Sequence, residues 1–247
     1  MLKIWDMVDA FYRAAGFTLK VRLSFHDPTH MESYLGDEKV WQEAEGKIKE
    51  MSYERGVPYI EAVGEAAFYG PKVDFIARDS LMREWQVATI QLDMNMPERF
   101  DLTCINEKGE DERVFMIHAA IMGSIERFLS ILIEHFAGAF PVWLSPVQVA
   151  ILPVRTDHNE PAQKFAEDLK HHGIRAEVDD ANETIGNKIR QASGQKIPYQ
   201  IVFGDKEVSS EELMVRVRGK KEQLRMTRID FINRILHEIK DRKDNAE

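Results

Sequence analysis

Three polar segments in the first half of the 247-residue chain combine residue types that could bind a charged substrate. In the first, an aromatic residue and a Gly-Pro bend precede Lys72 at the start of a predicted strand, where an ammonium group suits phosphates or carboxylates. The competing interpretation is an ordinary turn with a surface lysine. In the second segment, Gln86, Thr89 and Gln91 interrupt an otherwise apolar strand. Buried amides need hydrogen-bond partners, which either a substrate or a cross-strand Gln–Thr pair could supply.

Strand geometry divides the side chains of this second segment between two faces. Successive side chains of a strand point to opposite sides, so regular alternation places Gln91, Thr89 and Val87 on one face. Gln86 is then predicted on the opposite face, together with Ala88 and Ile90.

The third segment begins a helix directly after a strand, at Gly123-Ser-Ile-Glu-Arg127. Backbone N–H groups at a helix start, with an arginine one turn in, suit an anion such as a triphosphate. Pairing of Glu126 and Arg127 on the helix surface is the alternative. His118 ends the preceding strand, and a lone histidine is more often structural than a metal ligand. Cys104 has no second Cys/His pair near it, so spacing alone predicts no zinc site.

Charge and composition restrict the class of protein. The chain carries 33 Lys+Arg against 42 Asp+Glu, a formal net charge of −9, which argues against non-specific nucleic-acid binding. Residues 182–228 nevertheless hold ten basic and six acidic side chains, so a local basic face could contact phosphates, although a solvated mixed-charge surface is the alternative. The single cysteine predicts a reducing, cytoplasmic location, and no apolar stretch predicts a membrane span.

The predicted elements change character along the chain. Up to residue 143 consecutive strands predominate, which predicts an α+β domain with a mainly antiparallel sheet. From residue 144 strands and helices alternate, which predicts an α/β domain. The predicted strands cover residues 18–23, 59–63, 72–77, 84–94, 113–118, 147–153, 174–178, 199–203 and 213–217. The predicted helices cover residues 2–15, 37–54, 123–137, 157–172, 184–193 and 227–240.

Several long motifs, in order along the chain, resemble those of threonyl-tRNA synthetases, a family of class II aminoacyl-tRNA synthetases. They are GEAAFYGPK at 64–72, WQVATIQLD at 85–93, MIHAAIMGSIERF at 116–128, AGAFPVWLSPVQV at 137–149, IPY at 197–199 and GDKE at 204–207. The resemblance implies that residues 1–143 form the second half of a class II catalytic domain. It implies that residues 144–247 form an anticodon-binding domain with a mixed sheet flanked by helices.

The resemblance also implies a reaction and its partners. Threonine is activated with ATP, with magnesium and zinc as cofactors, and is then transferred to threonine tRNA, and the family forms homodimers. It implies catalytic roles for Lys72, Gln86 and Arg127, the last on the ATP phosphates, and a threonine pocket containing Tyr69, Thr89 and Gln91. It implies that His118 is one of three zinc ligands, and that the anticodon is recognised by Asn182, Arg190, Glu207 and Arg216.

The chain also departs from the family pattern. Motifs 1 and 2 and two of the three zinc ligands are not found in it, so we expect the isolated chain not to make threonyl-adenylate. Val87-Ala88 stand where the family usually has Cys-Gly, and Ala119 stands where it has arginine. The alternative is a non-catalytic module that binds tRNA through its second domain.

Overall fold

The computed structural model describes residues 1–242 and divides the chain into two compact units, Met1–His135 and Phe136–Glu247. The first is α+β and the second α/β, as predicted. No helix within residues 1–242 combines the length and apolar character that crossing a bilayer requires.

The first unit is built on a five-stranded sheet in the order β2-β1-β3-β4-β7. All neighbours in it are antiparallel except β1 and β2, which are parallel. Its strands are β1 (Leu19–Phe25), β2 (Tyr59–Val63), β3 (Lys72–Arg78), β4 (Glu84–Asp93) and β7 (Met116–Ala120). The mainly antiparallel sheet that the sequence predicted is therefore confirmed.

Helices cover one face of this sheet. α1 (Leu2–Ala14) buries Trp5, which meets Phe75 of β3 edge-on at 5.1 Å. α2 (Glu38–Glu54) buries Trp41, and its Lys49 lies over the ring of Phe25 in β1. α4 (Ile125–His135) packs on α1, and the short α3 (Met96–Arg99) follows β4. Most apolar side chains of the sheet point to the helices, so polar ones predominate on the opposite face.

The predicted strand at 113–118 is wrong as a single element. Its residues divide between β6 (Asp111–Arg113) and β7, and β6 pairs with β5 (Thr103–Ile105) in a separate hairpin. A turn at 106–109 joins β5 to β6, and the Asn106 side chain accepts hydrogen bonds from the backbone of Lys108 and Glu110. A short polar hairpin therefore lies beside the main sheet.

The second unit contains a mixed five-stranded sheet in the order β12-β11-β10-β8-β9. β8, β9 and β10 are parallel, whereas β11 and β12 are antiparallel to their neighbours. The strands are β8 (Val149–Pro153), β9 (Ala176–Val178), β10 (Tyr199–Phe203), β11 (Glu212–Val217) and β12 (Gln223–Thr227). The helices are α5 (Asn159–His171), α6 (Ile185–Gly194), α7 (Asp205–Ser209) and α8 (Arg228–Asp241).

The two faces of this second sheet are covered unequally. α5 and α8 bury Phe165 and Phe231 against one face along its length. On the other face, α6 packs Ala192 against β8. Side chains of β10–β12 also point to that side, and we call them the open face: the exposed or half-buried Met214, Arg216, Gln223 and Arg225, and the buried Gln200, which contacts Ser193 of α6. β12 was not predicted, because its exposed, alternating polar residues are typical of an edge.

Candidate active site and nucleic-acid interface

Strand register brings the polar residues of the first unit onto one surface. Lys72 of β3 lies between Ser24 of β1 and Gln91 of β4, and Gln91 in turn lies beside His118 of β7. In the next row Asp74 lies between Arg22 and Thr89. Directly opposed residues of neighbouring strands point the same way, so these side chains share the face that the helices leave uncovered. We call this surface the polar face: Arg22, Ser24, Lys72, Asp74, Gln86, Thr89, Gln91 and His118.

Asp74 is the most connected residue of the polar face. Its carboxylate is fully buried, and its two oxygens accept four side-chain hydrogen bonds at 2.7–3.1 Å. The Nζ of Lys72 lies 3.3 Å from Oδ2. We call this set the Asp74 cluster, and its other members are Arg22, Ser24, Lys72, Gln86 and Thr89. Two cations surround one carboxylate, so the cluster keeps one positive charge in excess, which suits an anionic ligand.

Sequence reasoning missed Asp74 although a pattern in the sequence points to it. Lys72 and Asp74 are two residues apart in a strand and therefore share a face, whereas Val73 and Phe75 between and after them are apolar. An aspartate on the same face as a candidate phosphate-binding lysine could have been taken as its positioning partner.

The predicted face of Gln86 is wrong. Its amide nitrogen donates to Thr89 Oγ1 at 2.8 Å and to Asp74 Oδ1 at 2.7 Å, so Gln86 lies on the same face as Thr89. The reason is an irregularity in the β3–β4 ladder. Phe75 pairs with Ala88, but Ile76 pairs with Gln86, which leaves Val87 as an extra residue. A bulge of this kind reverses the alternation that the sequence pattern assumes.

A tight turn before β3 holds Tyr69 against β4. Its hydroxyl donates to Gln91 Oε1 at 2.8 Å, and Gln91 Nε2 donates to the Gly70 carbonyl at 3.1 Å. A Cβ on Gly70 would lie 1.8 Å from the Leu92 carbonyl oxygen, so only glycine permits this approach. Tyr69 and Gln91 therefore reach the polar face as one fixed pair.

His118 contacts a buried carboxylate that could orient its ring as a metal ligand. Its Nε2 is 2.8 Å from Oδ2 of the fully buried Asp93, and its ring contacts Tyr69 at 5.4 Å. A carboxylate behind a histidine is a common outer partner of a metal site, with the second ring nitrogen left for the ion. However, residues 1–242 contain no group of three or more His, Cys, Asp or Glu that could hold a metal. The described part of the chain therefore does not by itself fit zinc or magnesium.

Arg127 occupies a different element from the other predicted residues. It lies in the first turn of α4, which begins at Ile125 rather than at Gly123 as predicted, and its side chain is exposed. Within residues 1–242 its guanidinium has no hydrogen-bond or ion-pair partner. The structure thus joins Tyr69, Lys72, Gln86, Thr89, Gln91 and His118 on or beside one sheet face and leaves Arg127 on a helix.

The four predicted anticodon residues fall into three places of the second unit. Asn182 and Arg190 line one shallow concavity at the start of α6. Arg216 lies on the open face. Glu207 is buried, and its Oε2 accepts a hydrogen bond from the Gly204 backbone at the start of α7. The Glu207 carboxylate therefore has a structural role as a helix cap.

Basic side chains surround the open face. Arg216 and the lysines of the β11–β12 turn, Lys220 and Lys221, line one cavity there, and Arg190 lies on α6. Such cations provide the sequence-independent attraction to a phosphate backbone.

Comparison with known families matches both units. The tRNA synthetase class II core domain (G, H, P, S and T) matches residues 1–136, and the anticodon binding domain matches residues 148–238.

Individual proteins are similar over nearly the whole chain. Threonine–tRNA ligases of Thermotoga neapolitana and Carboxydothermus hydrogenoformans are each 47% identical over 243 residues, which is 98% of this chain. The chain spans only 37% and 38% of their lengths. A crystal structure of the RNA binding domain of threonyl-tRNA synthetase from Cryptosporidium parvum matches with a TM-score of 0.88 and 32% identity. That match covers 95% of this chain and 58% of the other.

Proposed function

Because the chain belongs to the class II tRNA synthetase family defined by the core domain for G, H, P, S and T, we propose that it serves threonine–tRNA ligation. In this reaction the threonine carboxylate attacks the α-phosphate of ATP and pyrophosphate leaves. A tRNA ribose hydroxyl then takes the threonyl group from the adenylate, and AMP is released. The observation that carries the proposal is the polar face, where Lys72, Gln91 and His118 lie side by side across three strands.

The polar face supports binding of an anionic nucleotide. The Asp74 cluster holds Lys72 and Arg22 around a single carboxylate, so the excess positive charge is fixed in place before any ligand arrives. Fixed cations stabilise charge that develops on a transferring phosphoryl group without reorganising. Gln86 is locked by Asp74 and Thr89 and would orient the ligand rather than react with it. Arg127 adds an exposed guanidinium for the outer phosphates.

The Tyr69–Gln91 pair supports recognition of a small amino acid. The Tyr69 hydroxyl donates its hydrogen bond to Gln91, so its oxygen remains free to accept a hydrogen bond from an ammonium or hydroxyl group. Gln91 is held from both ends and cannot turn away. The reaction depends on positioning of the substrates more than on a nucleophilic side chain, and rigid polar groups can provide that positioning.

His118 is the predicted metal ligand of the polar face. His118, backed by Asp93, offers one ligand nitrogen, and the described residues supply no further ligands around it. Binding and orientation of the substrates are therefore assigned to side chains of this chain.

The second unit supports tRNA binding. Its open face and the start of α6 present Arg190, Arg216 and Asn182, whose guanidinium and amide groups suit the edges of unpaired bases. We assign this unit to the anticodon of threonine tRNA. We place the activity in the cytosol, in keeping with the free, exposed Cys104, and expect the family's homodimer.

Two binding measurements test the proposal. The full chain should bind threonine tRNA more tightly than a tRNA of another specificity, measured by filter binding at fixed salt. It should also bind ATP, and Lys72→Met should weaken ATP binding about 10- to 150-fold, as expected for a lost charge-assisted contact. Lys49→Met is the control, because Lys49 lies on the helix side of the sheet, where it contacts the Phe25 ring and forms a half-exposed ion pair with Glu61.

The outcomes separate the ligase from its alternative. Threonine tRNA binding without ATP binding would favour the non-catalytic tRNA-binding module. Equal affinity for both tRNAs, together with an unchanged ATP affinity in Lys72→Met, would contradict the ligase assignment.

A further inference from the structure

A cavity of about 180 Å³ opens at the end of the open face where β11 turns into β12. It has a polar floor and a basic rim. Its lining includes Ser193, Gln200, Arg216, Lys220, Lys221 and Gln223.

Gln200 forms the floor of this cavity and is left with an unsatisfied polar atom. Its side chain is 6% exposed, and its Nε2 donates to Ser193 Oγ at 3.0 Å. Its Oε1 is buried and has no hydrogen-bond partner within residues 1–242. If the amide were turned over, Ser193 would satisfy the oxygen and the nitrogen would be the orphan. In either orientation one amide atom is buried unpaired, which is costly unless a ligand completes it.

Arg216 provides the complementary group beside Gln200. The two residues are directly opposed across β10 and β11, and Gln223 of β12 completes the row. Arg216 is half-buried, and its guanidinium has no carboxylate partner in the described part of the chain. The cavity therefore offers an unused acceptor and unused donors side by side.

This arrangement distinguishes a base from a simple anion. With the amide oriented so that Nε2 donates to Ser193 Oγ, a phosphate alone would satisfy Arg216 and the lysines but would place negative charge against the Gln200 oxygen. The edge of an unpaired nucleobase carries adjacent donors and acceptors, so it satisfies both groups together. The rim lysines, Lys220 and Lys221, are then placed for the backbone phosphate.

We propose that Gln200 is a further residue that contacts the anticodon, and that it and Arg216 together hold one unpaired base in this cavity. The inference rests on the proposed function and adds Gln200, which the sequence did not single out, as a base-contacting residue.

Substitution of Gln200 tests the contact directly. The probe is a fluorescent stem–loop with the anticodon-arm sequence of threonine tRNA, titrated into the full chain. Gln200→Leu keeps the volume and removes both polar atoms, and it should weaken binding about 5- to 150-fold because a base donor loses its partner. Gln163→Leu, the same change at an exposed position of α5 on the opposite side of the sheet, should leave the affinity unchanged.

A second measurement distinguishes base contact from general damage. Loops in which one anticodon base at a time is removed should reveal one position where Gln200→Leu no longer weakens binding, because the base it contacts is gone. The salt dependence of binding should be unchanged in Gln200→Leu, whereas Lys220→Ala should reduce its slope by about 1. The thermal midpoint of Gln200→Leu should be no lower than that of the parent chain.

Three results would overturn the inference while leaving the proposed function intact. They are unchanged affinity in Gln200→Leu, an equal loss in Gln163→Leu, and a loss that persists with every abasic loop. By contrast, a parent chain that does not prefer the threonine stem–loop over another sequence would refute the proposed function itself.

Discussion

Replacement of Asp74 by asparagine should show how far the polar face depends on one buried carboxylate. The substitution keeps the shape of the side chain but removes its charge and turns one acceptor oxygen into a donor. If the NH2 group of the asparagine takes the place of Oδ1, one donor faces the donors of Gln86 and Thr89. If it replaces Oδ2, it opposes those of Arg22 and Ser24. Neither orientation of asparagine preserves the existing hydrogen bonds.

The magnitude follows from the burial of the partners. Removing one member of a buried ion pair typically costs about 3–5 kcal/mol, because the remaining charge is left uncompensated. Asp74 is fully buried, but the side chains of Arg22 and Lys72 retain 25% and 17% of their exposure and can be partly solvated by water. We therefore expect Asp74→Asn to lower the free energy of unfolding by about 3 kcal/mol, the lower end of this range. This is a large share of the about 5–15 kcal/mol that stabilises a domain, so the variant should fold but unfold at a lower urea concentration.

Urea unfolding followed by tryptophan fluorescence measures this loss. Three of the four tryptophans, Trp5, Trp41 and Trp85, lie in the first unit, so a Trp143→Phe background makes the signal specific to it. Asp6→Asn is the control, because Asp6 is 65% exposed in its pair with Arg55 and such pairs contribute about 0–1 kcal/mol.

A double-mutant cycle with Lys72→Met tests the reason for the loss. If the orphaned ammonium causes part of the cost, Lys72→Met should be less damaging in the Asp74→Asn background, with a coupling of about 0.5–3 kcal/mol. The reasoning would be refuted if Asp74→Asn unfolded at the same urea concentration as Asp6→Asn. Strict additivity in the cycle would refute the electrostatic explanation even if stability fell.

Three further substitutions test other parts of the first unit. Gly70→Ala should lower the urea midpoint and release the neighbouring tyrosine, seen as a change in its NMR signals, because the new Cβ would lie 1.8 Å from a β4 carbonyl oxygen. Tyr12→Phe should cost about 1–3 kcal/mol by leaving the Val87 carbonyl, now 2.9 Å from the hydroxyl, without that donor; the same change at exposed Tyr53 should cost nothing measurable in urea titrations. Burial raises the pKa of Asp79, but hydrogen bonds from Trp85 and Arg83 outweigh it and hold the pKa at about 2. Because this is below the unfolded value of 3.8, Asp79 stabilises the fold above about pH 4, and its contribution is lost as pH falls towards 2. Asp79→Asn should therefore lower the urea midpoint at pH 7, with the difference shrinking over that acid range.

Elements with a clear period could be predicted from the sequence. α1 was expected at 2–15 and lies at Leu2–Ala14, and α2 was expected at 37–54 and lies at Glu38–Glu54. β2 was predicted at its observed bounds, Tyr59–Val63. These segments carry an amphipathic stripe or a strand between turn residues, so local sequence determines them. The partners of the strands were not predictable in this way, because pairing of β1 with both β2 and β3 depends on contacts between distant residues.

The candidate site was predictable as a set of residue types but not as an arrangement. Lys72 was singled out because a Gly-Pro bend places it at the start of a strand, and Gln91 because a buried amide in an apolar strand needs hydrogen-bond partners. Asp74 was missed because its importance lies in its hydrogen bonds to residues of neighbouring strands, and the sequence does not show which strands are neighbours. Gln200 was missed because its unsatisfied oxygen is a consequence of packing. A sequence pattern does not show whether both polar atoms of a buried amide have hydrogen-bond partners.

The position of Gln86 is the clearest case in which tertiary structure overrides the local pattern. Regular alternation would turn it towards the helices, where an amide would have to be buried among apolar side chains. The extra residue at Val87 instead shifts Gln86 to the polar face and disturbs the ladder at Val87. The Val87 carbonyl then accepts the Tyr12 hydroxyl from α1, which offsets the cost of the irregularity. A helix on one face of the sheet therefore supports a side chain on the other, and the bulge between them couples the packed core to the proposed nucleotide-binding surface.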